Sequence, residues 1–193
     1  ARALALEESS AHIEYAAEHD YLTGLPNRRL FDKRLAELAE DASVSTLAVL
    51  HLDLDEFKQI NDSHGHAAGD TVLRAAALRI EAAIPKATMV ARIGGDEFVI
   101  LLVNFGGLTE LNRMAREVQR RLKKKVRFGH EMLQSGASIG ISWSADRSGS
   151  NLLAESDIAV YQAKTSGRDR IELFSQQLKD DLMGKRRLAE ELK

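Results

Sequence analysis

Along the chain, stretches in which apolar residues recur every three or four positions are separated by shorter runs that are apolar throughout. Ala1 to about Glu18 is rich in alanine and glutamate, without glycine or proline, and predicts a helix. Leu6, Ile13 and Ala17 give it either a short seam for a partner copy or one side of a solvated lead-in. Thr23-Gly24-Leu25-Pro26-Asn27 reads as a turn, with Asn27 placed to cap a helix through about Ala39. Thr46 to Asp53 has the pattern of a buried strand that ends on a carboxylate. A short helical stretch follows, then a turn-rich segment from Asn61 to Gly69, then a helix from Asp70 to Ile84 with Asp70 in its first turn. Met89 to Ile93 and Phe98 to Val103 are strands around Gly94-Gly95, which predicts a β-hairpin. Leu108 to Lys125 predicts an amphipathic helix, and Met132 to Trp143 a strand in which Gly136 and Gly140 mark irregularities. Asn151 to Thr165 predicts a helix ending near Gly167, and Ile171 to Phe174 a last strand. Leu178, Leu182, Leu188 and Leu192 make a helical stripe of the tail from Gln176 to Lys193. Strands and helices mix without strict alternation, so the expected class is an α+β domain with a helix at each end.

Composition narrows what such a domain does. With 193 residues, 44% of them hydrophobic, a core forms without disulfides or a structural metal. Cysteine is absent, which removes disulfide frameworks and Cys-based zinc sites. Lysine and arginine number 27 against 29 acidic residues, a formal charge of −2, so no nucleic-acid-coating surface is expected. Aromatic residues at 5% are too few for a base-stacking platform. No apolar stretch reaches membrane-spanning length and no signal peptide is visible, so no membrane contact is expected of this stretch. The opening Ala1 points to a piece of a longer protein.

Candidate chemistry concentrates in Arg92-Ile93-Gly94-Gly95-Asp96-Glu97-Phe98, where two acids follow a glycine pair between apolar strands. Alone, that reads as an ordinary hairpin turn solvated by charge. Asp53 and Asp55 supply a second acidic pair at the end of the earlier strand, and alternate residues of a strand share a face. If that strand lies beside the hairpin, three or four carboxylates converge, and a divalent cation relieves their repulsion. Hard oxygen ligands select magnesium or manganese, with phosphate oxygens completing the shell. Glycine beside the acids lets a phosphate approach the backbone. Such a site suits phosphoryl or nucleotidyl transfer. His51, His64 and His66 are not read as a zinc site.

These residues resemble the GGDEF family of diguanylate cyclases. Asp20-Tyr21-Leu22-Thr23-Gly24-Leu25-Pro26-Asn27-Arg28-Arg29 looks like the family's opening turn, and Asp53-Leu54-Asp55-Glu56-Phe57-Lys58-Gln59-Ile60-Asn61-Asp62 like its first metal strand and helix. Gly65-His66-Ala67-Ala68-Gly69-Asp70, Ser138-Ile139-Gly140-Ile141 and Tyr161-Gln162-Ala163-Lys164-Thr165-Ser166-Gly167-Arg168 follow in family order. The resemblance implies a central, mostly antiparallel sheet flanked by helices, like that of nucleotidyl cyclases and polymerase palms. Its domain would run over 20–174, with a linker helix over 1–19 and a connector helix over 175–193.

The implied reaction joins two GTP molecules into cyclic di-GMP with release of pyrophosphate, on Mg2+ or Mn2+. Asp53, the Leu54 carbonyl, Asp96 and Glu97 would hold the metals, and Asp53, Asp96 and Glu97 are the implied catalytic groups. Asp96 or a neighbouring carboxylate would help deprotonate the attacking 3′-hydroxyl. Asn61 and Asp70 would read guanine, whose N1–H and 2-amino group suit a carboxylate acceptor. Gly95 and the backbone N–H groups from Asp55 through Phe57 to Lys58 would meet the phosphates. Lys164 and Arg168, four apart, would share a helical face directed at the triphosphate. Read singly, Asp70 is equally a helix cap, Lys164 and Arg168 surface cations, Asn61 a turn residue and His66 a structural histidine.

The product is a two-fold symmetric ring, so a homodimer is implied, each site holding one GTP. Pro85-Lys86-Ala87-Thr88 lacks the Arg-x-x-Asp product-inhibition site of many members, so cyclic di-GMP is not expected to bind there. Glu56 stands where an apolar residue is common and adds negative charge near the phosphates. The tail from Phe174 resembles a connector to an EAL phosphodiesterase domain, which leaves an alternative: a GTP-binding regulatory module without catalysis. GTP supply implies a cytoplasmic domain, whether or not the parent protein is membrane-anchored.

Overall fold

A computed structural model describes residues 15–85, 87–145 and 151–182. The elements are α1 (Arg28–Glu40), β1 (Leu47–Leu54), α2 (Phe57–His64), α3 (His66–Ala83), β2 (Met89–Arg92), β3 (Glu97–Val103), α4 (Leu108–Leu122), β4 (Val126–Phe128), β5 (Glu131–Leu133), β6 (Ala137–Ser144), α5 (Leu152–Thr165) and β7 (Ile171–Leu173). Five strands form one sheet in the order β2-β3-β1-β6-β7, and β4 and β5 form a separate hairpin. Every pairing in the large sheet is antiparallel except β6 with β7. The fold is α+β, as the unalternating elements predict.

β1 lies between β3 and β6 and is buried at all eight positions, which is why its sequence is apolar except at His51 and Asp53. Ala48, Leu50, Leu52 and Leu54 belong to a core with Ile60, Ile80, Leu111 and Val118 from α2, α3 and α4. Leu47 and Val49 belong to a second core with Phe31 and Leu38 of α1 and Leu152 of α5. By strand alternation, His51 and Asp53 continue that second face, so an apolar layer ends in two buried polar side chains.

Several boundaries differ from the sequence expectation. Asn27 caps α1 as predicted, its side chain accepting from the Leu30 N–H at 3.2 Å. The segment from Asn61 to Gly69 is not a turn: α2 continues to His64, α3 begins at His66, and Gly65 alone breaks them at φ 83°. Asp70 is thus the fifth residue of α3 rather than its cap. Met132 to Trp143 is two strands in two sheets, broken at Gln134-Ser135-Gly136. Gly140 marks no irregularity. A Cβ there would stand 2.1 Å from the Ser156 carbonyl oxygen, so glycine lets α5 lie directly on β6. Residues 15–18 and 176–182 are helical, and the rest of both terminal helix expectations lies outside the described residues. Among the described residues no helix is long and apolar enough to cross a membrane.

Candidate active site

The antiparallel register sets Asp53 of β1 opposite Glu97, the first residue of β3. One residue on, the Leu54 N–H donates to the Asp96 carbonyl at 3.1 Å. The two acidic stretches therefore meet at one end of the central strand pair. Asp53 is 5% exposed. α5, seated on Gly140, brings Lys164 Nζ to 2.5 Å from Asp53 Oδ2 and Asp157 into the neighbourhood of Glu97.

Electrostatics follows from this crowding. Burial pushes the Asp53 carboxyl up to about 6, Asp96 and Glu97 push the same way, and Lys164 opposes them. Burial also raises Glu97, with Asp157 and Asp96 adding repulsion and Lys164 and Arg28 opposing. Burial pushes the neighbouring His51 imidazole down to about 4. One ammonium does not balance the acids, and hard oxygen donors such as those of Asp53, Asp96 and Glu97 are of the kind a divalent cation takes. Among the described residues, however, the three do not already converge on one point, and Glu97 alone of them stands in a close set of possible ligands.

The hairpin turn is held from outside the cluster. Arg92 donates to the Gly95 carbonyl from Nε at 3.2 Å and from Nη2 at 2.7 Å, and Nη1 meets both Asp20 oxygens at 2.9 and 3.0 Å. Burial raises the Asp20 carboxyl, but hydrogen bonds from Thr23 and Arg92 outweigh it and hold the group low. Gly94 hugs Glu97, since a Cβ on it would stand 2.4 Å from Oε2. Gly95 is exposed, with nothing within 4 Å of such a Cβ, so its Cα faces open space while its carbonyl is held by Arg92.

Asp55 does not join Asp53. Its carboxylate accepts from Ser138 Oγ at 2.6 Å and from the Asp169 N–H at 2.9 Å, so it ties the end of β1 to β6 and to the loop after α5. Its N–H donates to the Gly136 carbonyl at 3.0 Å and is not free for a phosphate. The expected cradle therefore begins one residue later. Among the described residues, the N–H groups of Glu56, Phe57 and Lys58 donate to no backbone carbonyl. Glu56 is exposed, in a left-handed conformation at φ 58°.

Lys164 and Arg168 do not share a helical face. α5 ends at Thr165, and Arg168 sits beyond it at φ 60°, its N–H bonded to the Ala163 carbonyl. Arg168 lines a cleft of about 620 Å³ with Asp55, Glu56 and Gly136. Asn61 and Asp70 lie on neighbouring helices. A Cβ on Gly69 would stand 2.0 Å from Asn61 Oδ1 and 3.0 Å from Phe57 Cζ, so glycine admits both side chains. Asn61 Oδ1 is buried without a hydrogen-bond partner among the described residues, and Asp70 is half-exposed, 3.9 Å from Arg74.

The sequence reading missed Asp157 and the Asp20–Arg92 anchor. A signal for Asp157 existed, because it precedes Lys164 by two helical turns and so shares its face.

Residues 17–170 match the family described as "Diguanylate cyclase, GGDEF domain". The chain belongs to the GGDEF family. Diguanylate cyclase TpbB of Pseudomonas aeruginosa is 38% identical over 168 residues, covering 84% of this GGDEF chain and 39% of TpbB. A structure of the TpbB GGDEF domain superposes with a TM-score of 0.80 at 36% identity, covering 86% of this chain and 99% of that one. The coiled coil and GGDEF domain of DgcB from Caulobacter crescentus, solved with c-di-GMP, gives 0.80 at 26% identity, covering 89% and 93%. The GGDEF chain spans 23% and 39% of the lengths of two curated relatives, an uncharacterized signaling protein of Caulobacter vibrioides and TpbB.

Proposed function

We propose that this GGDEF domain condenses two GTP molecules into cyclic di-GMP, releasing pyrophosphate, as one half of a homodimer. The observation that carries the reading is the cross-strand pairing of Asp53 with Glu97, beside Asp96, at the mouth of a GGDEF fold. Asp53, the Leu54 carbonyl, Asp96 and Glu97 would hold magnesium. Bound there, the ion supplies positive charge to the phosphate oxygens and to the attacking and leaving oxygens.

The chain's own groups do the rest. Lys164, now counter-ion to Asp53, answers the triphosphate charge, and Arg168 does so from its cleft. The N–H groups of Glu56, Phe57 and Lys58 at the start of α2 donate to phosphate oxygens, and Gly95 lets a phosphate reach the backbone. Asn61 and Asp70 read the guanine edge, and Asn61 Oδ1, buried and without a partner among the described residues, is the acceptor that a turn of the side chain would present to it. Asp96 or its neighbouring carboxylate takes the 3′-hydroxyl proton. Two domains facing across a two-fold axis bring each 3′-hydroxyl to the other nucleotide's α-phosphate.

A second reading, a GTP-binding regulatory module for an attached EAL phosphodiesterase, is favoured by the exposed Glu56, which adds negative charge beside the phosphate cradle. One experiment separates the two. The domain, dimerised through a fused coiled coil, is incubated with GTP and magnesium, and nucleotides are resolved by chromatography. Cyclic di-GMP that disappears in Asp96→Ala supports the cyclase, whereas GTP binding without product supports the module.

A further inference from the structure

Two residues before Asp53, the same face of β1 carries His51. It is 3% exposed, and among the described residues neither ring nitrogen has a hydrogen-bond partner. A buried nitrogen left unpaired has lost water without replacement, so such groups are rare and point to something that fills the gap. Two acids face His51, with the cations Lys164 and Arg28 also within electrostatic reach. A ring nitrogen of His51 and one carboxylate oxygen each of Glu97 on β3 and Asp157 on α5 all lie within 4.8 Å of one another. Asp157 Oδ1 stands 3.9 Å from His51 Nδ1, too far for a hydrogen bond.

We propose that His51, Glu97 and Asp157 bind a zinc ion, with water as the fourth ligand, at a site adjoining but distinct from the Asp53–Asp96 cluster. Ligand atoms held about 2.1 Å from one ion stand no more than about 4.2 Å apart, so a small turn of the carboxylates closes the set. Asp157 has room to make it, with a side chain 67% exposed. The three groups line a cavity of about 650 Å³ together with Arg28, Asp32 and Leu153, which gives the ion a route in. Arg28 and Asp32 pair with each other at 3.0 Å, so that guanidinium does not replace the ion.

One imidazole with two carboxylates is a borderline donor set that suits zinc. Magnesium prefers oxygen ligands alone and keeps its waters. The two carboxylate charges balance one divalent ion. Glu97 belongs to both sites, so zinc draws it away from the magnesium cluster and slows the cyclase; this consequence rests on the function proposed above.

The test is titration of the metal-free 193-residue chain with zinc against a chromophoric chelator, in excess magnesium and without nucleotide. The expected result is one tight site per chain, weakened in both His51→Leu and Asp157→Asn by more than the roughly 10–100-fold that an outer-sphere partner is worth. Circular dichroism confirms that each variant is folded, and Asp157→Asn, altered at an exposed side chain, reads the site if His51→Leu fails to fold. X-ray absorption at the zinc edge is expected to show a single imidazole. Zinc binding equal in wild type and the folded variants overturns the proposal, and so does wild-type affinity no better than that for magnesium. The cyclase assay runs without zinc, so its failure and that of the zinc site are read separately. Where product forms, equal zinc inhibition of wild type and Asp157→Asn overturns the sharing of Glu97.

Discussion

Asp53 and His51 are neighbours on one strand face, buried in the same layer, and their titrations oppose each other. Asp53 moves from 3.8 to about 6 on folding, so the folded chain holds its proton longer. That stability is present at low pH and lost as pH rises through 6, a change of about 3 kcal/mol at most. His51 falls from 6.5 to about 4, so the unfolded chain takes the proton first. Stability from a neutral His51 is present above pH 6.5 and lost as pH falls toward 4, again by about 3 kcal/mol at most. Between pH 4 and 6 the two slopes offset each other in the parent chain. Urea unfolding of metal-free Asp53→Asn is expected to show a gain of up to about 3 kcal/mol at pH 7.5 and little change at pH 4, while the variant makes no cyclic di-GMP. His51→Leu is expected to gain most near pH 4 and to lose the decline below pH 6.5. An Asp53→Asn chain no more stable than its parent at pH 7.5 would show that Lys164 already offsets the burial.

At the scale of elements, placement rests on a few close approaches. α5 carries Asp157 and Lys164 to the site, and it reaches β6 only because Gly140 has no side chain. A methyl group there meets the backbone at Ser156 and Val160, 2.1 and 2.6 Å away, rather than a flexible tip. Gly140→Ala is expected to cost about 3 kcal/mol in denaturant unfolding and to lower activity by displacing Lys164. This interaction was not legible beforehand, because a strand glycine signals a bulge as readily as a close helix. Long periodic elements such as α1, β1 and α4 were legible, and so was the β2–β3 hairpin around Gly94-Gly95. The β4–β5 hairpin was not, since three-residue strands bearing Arg127 and Glu131 carry too little alternation. The same reasoning sorts the site. Asp53, Asp96 and Glu97 were readable as strand-end acids, whereas the diversion of Asp55 to Ser138 and of Arg168 past the helix end depends on loop geometry that no periodicity encodes. The connection from α3 to β2 carries its own expectation. With Pro85, Ala87 and Thr88 in place of the arginine and aspartate of an inhibition site, calorimetry with cyclic di-GMP is expected to show no tight binding outside the active site.

At the scale of the whole molecule, the symmetry of the product sets the kinetics. One chain offers one copy of the Asp53–Asp96–Glu97 cluster and one pair of guanine-reading candidates, Asn61 and Asp70, so one GTP per chain is the natural occupancy. On the function proposed above, closing the ring would need two chains face to face, each contributing a hydroxyl and an α-phosphate. Among the described residues the exposed large apolar side chains are few for holding such a pair: Tyr15, Tyr21, Leu78, Met132, Trp143, Tyr161 and Leu173 come from separate segments, with Trp143 and Leu173 on adjacent strands. The catalytic pair is therefore expected to form on encounter, steered by nucleotide. Below the pairing constant, the initial rate per chain is expected to rise in proportion to chain concentration and to level off once a coiled coil is fused to the chain. Mixing with inactive Asp53→Asn is expected to lower the rate beyond simple dilution, as mixed pairs sequester active chains. A rate per chain that stays flat across a hundredfold dilution would mean that one domain closes both bonds. That would place two nucleotides in a site with donors for one, and the dimer would have to be abandoned.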